Sequence, residues 1–207
     1  CSCRFTIMIN NRHTLNEYLN CEKQYYLPEN LFSILRMRLL CAPEYQIWHY
    51  QKCLRLSEYH FNTGHRLRYA YYRRRKNIEG ARLGIYINHN SVGKGLHIYH
   101  YGSIVIHEAA HIGNYLSLHG ENCIANKGVS SPESVPVIGD CCDIGIGAKV
   151  LGKITLGSNT IIGANAVVTK SFPHGSVTLA GIPARPLSSS KYENNQSEYC
   201  CSQERHL

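Results

Sequence analysis

Three features that the sequence lacks limit what the protein can be. It has no run of about 18 apolar residues, which a membrane-spanning helix requires. It has no hydrophobic signal segment, and no two cysteines have the two-residue spacing typical of zinc sites. We therefore expect the ten cysteines to be reduced thiols of a cytoplasmic protein, not the disulfides of a secreted one.

The net charge of +8 indicates an anionic partner. Much of this charge lies in residues 64–84, where arginines alternate with tyrosines. Nucleic acid is one interpretation, but no other part of the chain resembles a nucleic-acid-binding module. A solvated or inter-subunit helix face is the interpretation that we favour.

Apolar residues recur every six positions from residue 138 onward. A helix needs a period of about 3.6 and an ordinary strand a period of 2, so neither explains the pattern. Small residues occur four positions after several of these apolar residues, where a tight corner has little room. Hexapeptide repeats of this kind predict a left-handed parallel β-helix with three hexads in each coil. The six apolar positions are Ile138, Ile144, Val150, Leu156, Ile162 and Val168.

The repeat continues upstream but loses its register twice. Ile106 to Ile124 form a second run, and Val92 and Ile98 begin a third. One break lies in "YHYGSIV" and the other in "ANKGVSSPESVPV", which we interpret as a loop leaving the coil. Because solenoids carry insertions on their binding faces, we look for the chemistry at these breaks.

The segment before the repeat has helical character. Thr14 and Glu17 have the spacing of a capping box, and apolar residues follow at helical intervals. We predict a helical domain over residues 1–82, a β-helix domain over 83–187 and a disordered tail over 188–207. Met8 is a candidate initiator, which would place residues 1–7 upstream of the true start.

Three stretches resemble the serine acetyltransferases, a family of hexapeptide-repeat acyltransferases. They are "GKGLHIYHYGSIVI", "IGDCCDIGIGAKVLGKITLGSNTIIGANAVVTKS" and "AGIPARPL". The last two are shared by many hexapeptide acetyltransferases, and only the first points to serine. The resemblance implies transfer of an acetyl group from acetyl-coenzyme A (acetyl-CoA) to a hydroxyl group. It also implies a trimer with each active site between two subunits.

The resemblance places the family's general base on His100. Histidine suits this task because its ordinary pKa lies near neutrality. Three other family positions differ: the second active-site histidine falls on Val135, the supporting aspartate on Ile85, and the acidic residue before the base is Tyr99. Either the acceptor pocket is rearranged or the acceptor is not serine.

His119 is the predicted replacement for the missing second histidine. One coil of the repeat plus the two-residue slip places positions 118–120 above residue 100. His119 could therefore be a second base, an oxyanion donor or a substrate contact. Glu108 and Glu121 are candidates to orient a histidine.

The resemblance implies a CoA groove along the last coils. Gly147 and Ala148 would permit close approach of the backbone, and Lys170 and Arg185 could meet phosphate. A cysteine nucleophile is a weaker alternative, since the hexad phase places Cys142 inward, where packing explains it better. We expect no metal: the only histidine pair with the spacing of metal-dependent β-helix enzymes, His60 and His65, lies outside the repeat.

These observations support three hypotheses. The first is a serine O-acetyltransferase that makes O-acetyl-L-serine for cysteine biosynthesis, with His100 as general base. The second is an O-acetyltransferase acting on a sugar hydroxyl of a surface polysaccharide or its precursor. The third, of a different class, is a non-catalytic β-helix that serves as an assembly scaffold.

Overall fold

The computed structural model describes residues 8–128 and 134–187. Within these ranges the chain forms four α-helices followed by fourteen short β-strands. The predicted tail, 188–207, and the centre of the second register break lie outside the described residues. No helix in the described ranges is long and apolar enough to cross a bilayer. The helices are α1 (Arg12–Lys23), α2 (Leu31–Leu39), α3 (Pro43–Asn62) and α4 (Arg66–Leu83).

The helices begin and end at residues suited to these positions. The side chain of Asn11 caps α1 by accepting a hydrogen bond of 2.9 Å from the backbone N–H of Thr14. The helix thus starts earlier than the capping box at Thr14 and Glu17 predicts. Pro43 occupies the first turn of α3, where its missing N–H costs nothing. Gly84 ends α4 in the left-handed conformation that glycine adopts without strain.

After α4 the chain passes in rotation through three sheets. All pairings between successive coils are parallel, and one antiparallel strand closes the last coil. The strands are β1 (Ile85–Ile87), β2 (His97–Ile98), β3 (Ile104–Ile106), β4 (His111–Ile112), β5 (Ser117–Leu118), β6 (Cys123–Ala125), β7 (Val137–Ile138), β8 (Asp143–Ile144), β9 (Lys149–Leu151), β10 (Thr155–Leu156), β11 (Ile161–Ile162), β12 (Val167–Val168), β13 (Thr178–Ala180) and β14 (Arg185–Pro186). The sheets have the orders β1-β3-β6-β9-β12, β10-β7-β4 and β14-β13-β11-β8-β5-β2.

The hexad pattern corresponds to the core between these sheets. Ile144 pairs with Ile162 and Val150 with Val168, a separation of one 18-residue coil in each case. Every apolar hexad position is at most 2% exposed, which confirms these residues as the core. The register breaks are also present, because Ile98 pairs with Leu118 and Leu118 with Ile144, separations larger than 18 residues.

The helices cover the first coil, whose strands have no preceding coil to pair with. Buried side chains from the helices hydrogen-bond to its backbone instead. The Tyr26 hydroxyl accepts from the N–H of Ile98 at 2.7 Å and donates to its carbonyl at 3.2 Å. The amide of Gln51 donates to the carbonyl of Leu96 at 2.8 Å. An exposed sheet edge is thereby satisfied and closed.

Candidate active site

His100 lies in the exposed turn between β2 and β3, at the first register break. The next coil passes directly beside it: a methyl group added at Gly120 would lie 3.5 Å from the Cβ of His100. Within the described residues, no hydrogen bond, ion pair or ring contact holds the imidazole of His100. The histidine that the resemblance matches to the family's base is therefore accessible, and none of the described residues supports its imidazole.

His119 lies in the corresponding turn of the next coil, after β5. The register places it opposite Tyr99, since Ile98 pairs with Leu118. The two rings stack with centroids 4.3 Å apart and an angle of 9° between their planes. The predicted position of His119 on the coil next to His100 thus agrees with the pairing to within one residue. Gly120, the residue after His119, is the one that lies directly beside His100.

A carboxylate that the sequence analysis missed holds His119. The Nε2 atom of His119 lies 2.8 Å from Oδ1 of Asp143, which belongs to β8. The side chains are 34% and 43% exposed, so the pair lies at the surface. Ser117 pairs with Asp143 in the parallel sheet, and this pairing brings the carboxylate of Asp143 close to the imidazole of His119. Glu108 and Glu121, the predicted candidates, make no such contact within the described residues.

Four aromatic rings form a column that ends at this pair. Tyr25 stacks on His97 at 4.4 Å, His97 contacts Tyr99 at 4.0 Å, and Tyr99 stacks on His119. Burial lowers the pKa of His97 to about 4, with a smaller contribution from His119. The Nδ1 atom of His97 is buried without a partner in the described residues. His97 is therefore a neutral packing residue at neutral pH.

The three departures from the family pattern have clear structural positions. Ile85 is 4% exposed and packs into the core within β1, and Val135 is 6% exposed. Tyr99 belongs to the aromatic column. Ile85 and Val135 have no ionisable group, and Tyr99 has a phenol where the family has a carboxylic acid.

The residues predicted to bind CoA lie in different environments. Gly147 is buried, and Ala148 is fully buried in the core, so neither side chain position offers a surface. Gly147 has a φ of +72° and donates its N–H to the carbonyl of Gly120 at 2.9 Å, which links it to the turn of His119. Lys170 and Arg185 are exposed.

Two exposed isoleucines, which we call the apolar edge, lie in later turns at the corner that carries the two histidines, with the turn of Ala164 and Asn165 between them. Ile146 and Ile182 occupy the corresponding turns and are 45% and 74% exposed. The sequence did not reveal these exposed isoleucines, because the hexad pattern assigns apolar residues only to inward positions. Arg185, which comes after Ile182 in the chain, lies on β14 and places a positive charge at the end of this edge.

Within residues 8–128 and 134–187, no three metal-ligating side chains group together. Burial raises the pKa of Cys142 to about 12, which suits a packed thiol and not a nucleophile. Five cysteines in the described residues are free thiols, but Cys141 is disulfide-bonded, so the expectation of reduced thiols fails there.

Comparison with known proteins leads to one family. No family model matches the chain. The serine acetyltransferase of Mycobacterium tuberculosis is 35% identical over 100 residues, which cover 48% of this chain and 43% of the relative. That of Staphylococcus aureus is 41% identical over 92 residues, covering 44% and 43%. The matched segment thus spans less than half the length of either relative.

Solved structures agree with this similarity. Serine acetyltransferase from Brucella abortus superimposes with a TM-score of 0.62 at 25% identity, over 86% of this chain and 69% of that one. The structural match includes the helices as well as the repeat, since its coverage extends well beyond the segment matched in sequence. The chain is thus similar to the serine acetyltransferases in sequence over its repeat and in fold over most of its length.

Proposed function

We propose that the protein is an acetyl-CoA-dependent O-acetyltransferase and that L-serine is its acceptor. The product would be O-acetyl-L-serine, the precursor used in cysteine biosynthesis. The observation that carries the proposal is the exposed corner where His100 and His119 occupy adjacent coils of a serine acetyltransferase-like fold. Solved relatives include the B. abortus enzyme in complex with coenzyme A and the soybean enzyme in complex with serine.

The reaction needs a group that takes the proton of the acceptor hydroxyl as its oxygen attacks the thioester. Neutral imidazole is a competent base near pH 7. We assign this acid–base chemistry to His100 and His119 together, with His100 at the position of the family's general base. The tetrahedral oxyanion would be stabilised by backbone N–H groups of the turns or by the imidazole that does not take the proton.

The apolar edge supports binding of acetyl-CoA. The exposed side chains of Ile146 and Ile182 offer an apolar surface to the long arm of CoA on the corner that carries the histidines. Arg185 and Lys170 could then meet the phosphates. We assign Gly147 and Ala148 to the wall of this groove through their backbone, because their side chain positions are buried.

We interpret the three-sided stack of sheets as a left-handed parallel β-helix over residues 83–187, preceded by a helical domain over 1–82. The rotation of strands through three sheets and the 18-residue register support this interpretation. A homotrimer with active sites between subunits and a cytoplasmic location complete the proposal. The trimer follows from the family resemblance, and the five free thiols among the described cysteines support the location.

A sugar hydroxyl is the second candidate acceptor. It is favoured by Ile85 and Tyr99, which carry no charge at the positions where the family has acidic residues. An uncharged pocket suits a neutral acceptor better than the ammonium group of serine.

Release of the CoA thiol from acetyl-CoA tests the proposal. The purified protein is incubated with L-serine and, in parallel, with a panel of sugars and sugar nucleotides. We expect release that depends on serine. Release with a sugar alone would move the protein to polysaccharide chemistry, and no release with any acceptor would favour the scaffold hypothesis.

A further inference from the structure

The imidazole of His119 is held beside Asp143 by more contacts than an incidental surface contact would need. Three separate contacts determine where the imidazole lies: the backbone N–H of His119 donates to the carbonyl of Ile144 at 3.1 Å, its ring lies flat on Tyr99, and its Nε2 meets Asp143. A partly exposed ion pair contributes only about 0–1 kcal/mol to stability. Stability alone therefore does not account for this arrangement.

The contact with Asp143 determines which nitrogen of His119 carries the proton. A carboxylate oxygen 2.8 Å from Nε2 favours the tautomer that has its hydrogen on Nε2 and its lone pair on Nδ1. Within the described residues Nδ1 has no partner. A carboxylate behind an imidazole both fixes the tautomer and stabilises the imidazolium that forms when the free nitrogen takes a proton.

His100 lacks this support. Its ring has no partner in the described residues, and the position of the family's supporting aspartate is the buried Ile85. Asp143 therefore provides the carboxylate at a different histidine of the same corner. At this corner, His119 is therefore the histidine whose imidazole has a carboxylate to support it as a proton acceptor.

We propose that His119 takes the hydroxyl proton during acetyl transfer and that Asp143 is its positioning residue. This inference rests on the proposed function and divides the proton chemistry within it. The acceptor oxygen bonds to the thioester carbonyl carbon as its proton passes to Nδ1 of His119. The C–S bond then breaks, and the CoA thiolate leaves and takes a proton from the imidazolium or from solvent. His100 contacts the acceptor or the oxyanion.

The first test compares Asp143→Asn with the unaltered chain. The side chain amide can donate to Nε2, which moves the imidazole proton to Nδ1 and removes the lone pair from the substrate side. We expect kcat to fall about 100-fold, with little change in KM. Nitrogen-15 NMR of His119 should report the Nε2–H tautomer in the unaltered chain and its loss in the variant. Glu108→Gln is the matched control, because Glu108 is exposed and no side chain in the described residues contacts its carboxylate.

Three further variants separate a positioning role from a purely structural one. Asp143→Ala should regain part of its rate in added formate, which can occupy the space behind the imidazole. His119→Gln should be at least as slow as Asp143→Asn, whereas His100→Gln, which can still hydrogen-bond, should be faster than either. Turnover by Asp143→Asn within about twofold of the unaltered chain would overturn the inference. No CoA release by the unaltered chain would instead defeat the proposed function.

Discussion

The protein contains two places where carboxylates contact basic side chains, and the two places differ in their surroundings. Arg55 contacts Glu22 and Glu58 where the helices meet the first coil, and these side chains are at most 2% exposed. His119 contacts Asp143 on the outside of the repeat, with both side chains more than a third exposed. The comparison shows how burial and unused hydrogen-bonding capacity separate a structural ion pair from one that can react.

In the buried group Arg55 has a partner for each nitrogen of its guanidinium. It donates to Glu22 at 2.6 Å and Glu58 at 2.9 Å, and to the carbonyls of Val92 and Gly93 at 3.0 and 2.7 Å. Burial opposes its charge, yet Glu22 and then Glu58 raise its pKa, so it stays a cation. With no site open to a substrate, the group's role is to fasten the helices to the first coil.

In the exposed pair one ring nitrogen has no hydrogen-bond partner within the described residues. The ring of His119 is oriented by Tyr99 and Asp143, and its Nδ1 is the nitrogen without a partner there. A base must be held in position and still have a free lone pair, because it must accept a proton from an incoming molecule. The variants below test this difference from the largest expected effect to the smallest.

Replacing Arg55 by alanine should have the largest effect. Glu22 and Glu58 would stay buried without their partner, and the loss of one partner from a buried pair costs about 3–5 kcal/mol. Urea unfolding should report this loss of free energy of unfolding. Arg82→Ala is the matched control, since Arg82 is 67% exposed and lies 3.5 Å from Glu79, and it should cost less than about 1 kcal/mol. Equal effects would contradict the structural role of Arg55.

Acidification should destabilise the protein through His97. Its folded-state pKa is about 4, so between pH 6.5 and 4 the unfolded chain binds a proton that the folded chain does not. Stability should therefore fall as the pH falls through this window, by about 2 kcal/mol after allowance for partial solvent screening. His97→Phe, which keeps an aromatic ring in the column, should flatten this dependence, measured by urea unfolding at several pH values.

His13→Asn is the matched control for this measurement, because the side chain of His13 is 86% exposed and lies outside the aromatic column. A slope unchanged by His97→Phe would mean that other groups cause the acid sensitivity. His89 is the next one to replace, because burial also lowers its pKa to about 4.

Replacing His100 by glutamine should slow acetyl transfer by about tenfold, less than the change at His119. A glutamine can still donate and accept a hydrogen bond but cannot take the proton. Steady-state kinetics with acetyl-CoA and the acceptor measure the difference. A loss at His100 larger than that at His119 would restore His100 as the base, as the matched motif alone predicts.

Asp143→Asn should change stability least. The pair is exposed, so its contribution to the free energy of unfolding should stay below about 1 kcal/mol. Chemical unfolding of the variant beside the unaltered chain checks this. A larger loss would mean that the pair supports the fold, and any loss of activity would then lose its simple interpretation.

The sequence predicted the repeat better than the site. The hexad period is local, so Ile138, Ile144 and Val150 could be assigned to the core without knowledge of any partner. The contact of His119 with Asp143 depends on which residues pair across the second register break. The step from Ile124 to Ile138 is 14 residues long, and the sequence does not show how many of these residues lie in a loop outside the coil. That pairing could therefore not be predicted.

The helices show the same limit. Their apolar spacing predicted a helical domain, but not that Tyr26, Gln51 and Arg55 would supply hydrogen bonds to the first coil. These contacts join residues 37 or more positions apart, and periodicity carries no information over such a distance. The family resemblance pointed to His100 and counting along the repeat pointed to His119, but only the three-dimensional pairing showed that Asp143 contacts His119.

The most direct measurement is the rate of CoA thiol release with L-serine by the unaltered chain and by Asp143→Asn at equal concentrations of folded protein. The account predicts serine-dependent release by the unaltered chain and a rate about 100-fold lower in the variant, with nearly coincident unfolding curves. Equal rates in the two proteins would contradict it.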